Sequence, residues 1–143
     1  MNRFRLSLLA LLIFHPLHAQ EPAPVTVPSP AVIFRPDAPD PIDRGLYWLY
    51  QLQYDKSYEA FDEQCKEHPD DPAGYFGKAA IDWWHLAQQF DFSLPKIQER
   101  FYRNVDITIQ KSKSAAESAR GNPKALALAY LYRGGAEGLR GAG

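Results

Sequence analysis

Cys65 and His68 stand one helical turn apart in "QCKEH", and a thiolate and an imidazole at that spacing make half of a zinc site. A structural zinc site wants four ligands. His85, the other histidine beyond the first 19 residues, is expected on a separate helix without a companion, so no metal or other cofactor is expected. Cys65 is the sole cysteine, which excludes an internal disulfide. It falls with Tyr58 and Phe61 at i, i+3 and i+7, and this reads it as a small buried hydrophobe. Carboxylates gather in "DEQCKE" and "HPDD", but on an exposed face and in a turn, where nothing separates their pKa values for acid–base work. There is no G-x-S-x-G, no phosphate-cradling glycine loop and no H-E-x-x-H. The chain reads as a non-enzyme.

Aromatic side chains offer a different chemistry, that of binding. Trp83 and Trp84 are adjacent, and neighbouring helical residues point about 100° apart. One is expected to face its own hairpin partner and the other the next helix, as a wedge between repeats, or else a groove that holds a peptide or sugar ring. The cluster Tyr47-Trp48-Leu49-Tyr50 divides in the same way. Candidate contact residues are Tyr47, Tyr50, Trp84, His85 and Arg103.

The elements that must position them are helical. Past Asp40 apolar residues recur every three or four positions, and Asp40-Pro41, Asp71-Pro72 and Asn122-Pro123 each place a capping side chain before a proline at the first helical position. The spacing predicts helices over residues 41–54, 57–68, 72–89 and 94–120, and a fifth from Pro123. The first turns Ile42, Leu46, Leu49 and Tyr50 inward, the third Phe76, Ala79, Ala80, Trp83 and Ala87. The fourth turns in Ile97, Phe101, Val105, Ile109, Ser112, Ala116 and Ala119, and the fifth Leu128, Leu131 and Tyr132. Short linkers make successive helices antiparallel neighbours. The motif "HPDDPAGYF" is expected to be the joint that ends one hairpin and caps the next.

The stretch "YDKSYEAF" followed by "EHPDDPAGYF" resembles a tetratricopeptide repeat. Ala60 matches the small residue that packs the second helix on the first, flanked by bulky Tyr58 and Phe61, and Pro72 matches the closing proline. Phe76, Ala80 and Trp83 resemble the first helix of a next unit. The chain departs from the family in the spacing of its capped starts, 31 and 51 residues where the family repeats every 34 or so, and in Trp48 at a small position. "HPDDPAGYF" and "GGAEGLRG" are also similar to segments of secreted bacterial repeat proteins. The resemblance implies an all-α fold of antiparallel hairpins in a short right-handed array, with a concave face that receives a protein or peptide partner. A structural helical domain of a cell-envelope assembly, without a groove, is the alternative; a hydrolase or metal enzyme ranks third. Gly134, Gly135, Gly138 and Gly141 suit a helix pressed closely against a neighbour, and a chain halting mid-unit suggests a fragment of a longer protein.

Two segments precede this domain. "MNRFR", the apolar run "LSLLALLIF" and a small residue at Ala19 have the form of a secretory signal over residues 1–19. The apolar run is too short to span a bilayer, which takes about 20 apolar residues. Seven prolines fall within residues 20–41, and residues 20–40 read as an extended, disordered tether, with Ala31–Phe34 as an apolar strap. Residues 41–143 form the helical domain. Cleavage after Ala19 removes Arg3 and Arg5 and leaves 14 basic against 17 acidic side chains. No basic stripe offers the footprint of a nucleic-acid binder, and no transmembrane helix is expected in the mature chain. The expected destination is the bacterial periplasm or the medium.

Overall fold

The computed structural model describes residues 34–89 and 94–142, and within them the fold is all-α. The helices are α1 (Pro41–Tyr50), α2 (Tyr54–Glu67), α3 (Pro72–Gln89), α4 (Pro95–Ser118) and α5 (Pro123–Ala142). Residues 1–33, with the signal-like segment, most of the proline leader and the first three residues of the Ala31–Phe34 strap, lie outside the described residues.

Local chemistry explains where the helices begin. The Asp40 carboxylate accepts from the Ile42 N–H (2.8 Å), Asp71 from Ala73 (2.9 Å), and the Asn122 side-chain oxygen from Ala125 (3.1 Å). Each satisfies an orphan donor of a first turn whose proline has none to lose. The second oxygen of Asp71 accepts from Gln64 Nε2 (3.1 Å), and Asp70 accepts from Lys111 Nζ (2.9 Å). "HPDDPAGYF" is thus a joint tied to the helices before and after it. The chain leaves α4 through Gly121, at φ +90°, a left-handed turn that glycine makes without strain.

Each helix packs on the next, and α1 also touches α3, as α3 touches α5. Two apolar cores result, one on either side of α3. Leu49, Phe61 and Ile81 fill the first, walled by Ile42, Leu46 and Tyr58. Ala79, Leu86, Phe101, Val105, Ile109 and Ala136 fill the second, with Phe76, Trp83 and Leu139 against them.

Three expectations need correction. The first helix stops at Tyr50, because Leu52 turns left-handed (φ 57°) and α2 begins early, at Tyr54. Tyr50 is therefore exposed, its ring stacked on Phe34 at 5.9 Å. In α5 the inward face is Ala129, Tyr132, Ala136 and Leu139, while Leu128 and Leu131 point out. The repeating Ala-Leu composition of this helix supports either face equally, and close packing against Phe76 selects the small one: Gly135 lies where a Cβ would come within 2.9 Å of the Phe76 ring.

Candidate functional site

Between the two cores lies a polar cluster that the periodicity reading passed over. Asp82 has 0% of its surface exposed. One of its oxygens accepts from Tyr58 Oη (2.8 Å), the other from Arg100 Nη2 (2.5 Å) and Nε (3.0 Å). Asn104 Nδ2 donates to Tyr58 Oη (3.1 Å), and the Arg100 guanidinium lies 4.4 Å from the Tyr58 ring centroid. The cluster joins α2, α3 and α4. Charged neighbours are tolerated in such a place only when they are paired and hydrogen-bonded, as Asp82 is here by Tyr58 and Arg100. A sequence signal existed: Asp82 sits three residues after Ala79 and four before Leu86, squarely on the stripe that turns inward.

Tyr58 and Arg100 of this cluster line an open groove of about 950 Å³ at the end of the molecule where α2 and α4 begin and α3 ends, with Asp82 buried behind them. Tyr54 and His85 stack across it (5.0 Å between centroids, 17° between planes), and Leu52, Lys56, Ile97 and Arg100 complete the lining with Asp55 and Glu59. The N-cap residues of α2 and α4, Gln53 and Leu94, make no side-chain cap bond, so the partly positive helix ends add to Lys56 and Arg100 at this mouth. Leu52 is a bulky residue held left-handed at the rim, a conformation that costs an L-residue about 1–2 kcal/mol.

Of the five residues expected to make contacts, His85 lines this groove. Trp84 is 42% exposed and meets Trp83 edge-on at 5.7 Å, while Trp83 packs on the second core. Tyr47 is half-buried against the edge of Trp48 (4.9 Å), Tyr50 stacks on Phe34, and Arg103 pairs with Glu99 on the exposed side of α4 (2.9 Å). These four are not among the lining residues. Cys65 is half-buried, and its Sγ fills the space where a Cβ on Gly74 would come within 2.6 Å. Burial pushes its thiol pKa up, which makes it a poor nucleophile at neutral pH. His68 is exposed, and among the described residues no three His, Cys, Asp or Glu side chains converge as metal ligands.

Protonation in the cluster has a measurable consequence. Burial, then the charge and hydrogen bond of Asp82, hold the Tyr58 phenol well above its ordinary range against the weaker pull of Arg100 and Asn104; the Asp82 hydrogen bond is the main reason the Arg100 pKa is raised. The unfolded chain loses the phenolic proton near pH 10, and the fold retains it. Stability is therefore complete below pH 10 and falls as pH rises above it, by about 1 kcal/mol per pH unit after allowing for partial solvent contact. Urea titrations at pH 8 to 11.5 should show this decline, and Tyr58→Phe should be less stable at pH 7 yet lose less on the way up. Parallel pH curves for the two proteins would contradict the assignment.

No protein-family model matches the chain, and no curated protein or solved structure matches it either.

Proposed function

We propose that the protein is an exported, non-catalytic helical-repeat module of tetratricopeptide-like build that holds a protein or peptide segment in the groove between α2, α3 and α4. The observation that carries this reading is the packed and hydrogen-bonded wall of the groove. The stacked Tyr54–His85 pair and the Tyr58–Asp82–Arg100 cluster hold the lining side chains through contacts within the protein, which lowers the ordering cost a partner meets. The tetratricopeptide-like build is supported by the contacts of α1 with α3 and α3 with α5, the pattern that stacked hairpins produce. Export rests on the signal-like form of residues 1–19. No described helix is long and apolar enough to cross a membrane.

The groove suits a segment with one aromatic or aliphatic anchor over Tyr54 and Ile97, flanked by polar groups within reach of Lys56 and Glu59. The strained Leu52 at its rim is a device found where a site must be shaped. The test is selection from a random peptide display library, followed by calorimetry on the selected sequences. His85→Ala should weaken binding about tenfold, the loss typical of one anchor contact, while Trp84→Ala, outside the groove, should not. Leu52→Gly should also weaken it without loss of stability, since relief of about 1–2 kcal/mol of backbone strain offsets the entropy glycine adds to the unfolded chain. Selected peptides indifferent to His85→Ala and Leu52→Gly, or no selection at all, would refute the proposal.

A further inference from the structure

The chain is already fastened to the helical domain before α1 begins. Phe34 stacks on Tyr50 (5.9 Å between centroids, 18° between planes), and Ala38 is buried. Arg44 Nη1 donates to the carbonyls of Ala38 (2.7 Å) and Pro39 (3.0 Å), while its Nη2 pairs with Glu63 of α2 (2.5 Å). Asp40 caps the start of α1, and Phe34 lies on Tyr50, its last residue. Followed back toward the N-terminus, the chain therefore runs the length of α1 and leaves at that helix's far end. There residues 51–53 make the turn whose Leu52 and Gln53 line the groove. Pro36 walls a smaller cleft of about 340 Å³ together with Lys56 and Glu59. Both side chains also line the groove, so the surface under residues 34–40 is continuous with it.

The residues that come before Phe34 match this lining. "PAPVTVPSPAVI", residues 22–33, carries no charge, and it alternates prolines with Val25, Val27, Val32 and Ile33. Acids (Asp55, Glu59) and bases (Lys56, Arg100) both line the groove, so it draws neither a strongly acidic nor a strongly basic segment. Proline-rich chain docks on aromatic-lined grooves, because ring faces accept the pyrrolidine and the extended conformation has little entropy left to lose. Tyr54, Tyr58 and His85 supply the rings. At about 3.1 Å per residue, residues 28–33 reach about 19 Å. Three neighbouring helices about 8–10 Å apart, as α2, α3 and α4 are, present the same width.

We propose that the groove's resident occupant is the chain's own leader, residues 22–33, laid across it in cis, so that a foreign peptide must displace it. The order of residues puts Val32 and Ile33 over Leu52, and Pro28 and Pro30 at the Tyr54–His85 stack. This rests on the peptide-groove reading and adds its regulation. The test uses protein expressed as the whole chain, and its probe is a fluorescein-labelled synthetic peptide of residues 22–33. Wild type should bind the probe about tenfold or more weakly than a variant whose own leader carries Val32→Asp and Ile33→Asp. The cause is that a tethered copy competes at an effective concentration on the order of millimolar. In that variant His85→Ala should weaken the probe about tenfold, and alanine at Pro28 and Pro30 of the probe should do so with the groove unaltered. In a Cys65→Ser background, Pro30→Cys with Glu59→Cys should close a disulfide within one chain under mild oxidation, and Pro30→Cys with Trp84→Cys, outside the groove, should not. Equal probe affinity in wild type and the leader variant overturns the proposal. So does cross-linking through Trp84→Cys in place of Glu59→Cys, or a cross-link that joins two chains. If library-selected peptides bind both forms alike and lose affinity with His85→Ala, the peptide groove stands and its regulation by the leader is refuted. If neither the probe nor any selected peptide binds, both readings fall.

Discussion

Arg100→Met is expected to destabilise the protein by about 3 kcal/mol, measured as a shift in the urea unfolding midpoint at pH 7. The cause is what the substitution leaves behind. Asp82 is fully buried, and among the described residues Arg100 is its one positive partner, with the Tyr58 hydroxyl as the remaining donor. Removing one member of a buried ion pair costs about 3–5 kcal/mol, since the other charge stays without water or counter-ion. The lower part of that range applies because the Arg100 side chain is itself 43% exposed and already partly screened. Removing both charges should cost less than removing one. Asp82→Leu combined with Arg100→Met should recover at least half the loss, the remainder reflecting the Tyr58 hydroxyl left without its acceptor. A change below about 0.5 kcal/mol for Arg100→Met would mean that water reaches Asp82 and that the cluster does not stiffen the groove wall.

What the sequence revealed and what it concealed follow from the range of the forces involved. Helix starts were legible because capping is local: Asp40, Asp71 and Asn122 bind N–H groups two or three residues away. The cores were largely legible because Phe61, Phe101 and Val105 are placed by the helix period alone. Asp82 was not, because only the third dimension supplies the arginine 18 residues away and the tyrosine 24 residues away that allow it inside. The groove was half legible. His85 stands out beside two tryptophans, but the helical spacing carries its stacking partner Tyr54 to the end of the first helix, whereas it opens α2. That error has one residue behind it. Leu52 gives no sign of a left-handed backbone, since glycine or asparagine normally marks such a turn. In α5 the period was right and the phase wrong, because a helix of alanine, leucine and glycine offers two usable faces.

The joining of the first hairpin to α3 depends on one ring, and Phe61→Ala should cost about 3–5 kcal/mol. Phe61 is buried in α2 between two helices that both present glycine to it. A Cβ on Gly45 of α1 would lie 2.6 Å from the ring, and one on Gly77 of α3 would overlap it. Nearby, the buried Ser57 hydroxyl donates to the Gly45 carbonyl (2.7 Å), fixing α2 at the depth this slot requires. Truncation leaves a cavity lined by backbone, which cannot collapse without moving whole helices, so the upper half of the range is expected. Gly77→Ala is the sharper test because two effects oppose each other. Helix propensity alone predicts a gain of up to about 1 kcal/mol, whereas displacing a packed ring costs about 1–3 kcal/mol. A net loss of about 1–2 kcal/mol is expected, and Phe61→Leu, which withdraws the ring from the slot, should make Gly77→Ala cheaper than it is in the wild type. Hydrogen exchange should show α1 and α2 opening ahead of α4 in Phe61→Ala, because α4 draws its apolar contacts from the second core. If Gly77→Ala stabilises the protein, the ring is not wedged, and the first hairpin is held to α3 by its other contacts, among them Leu49 against Ile81 and the Tyr58 hydroxyl on Asp82.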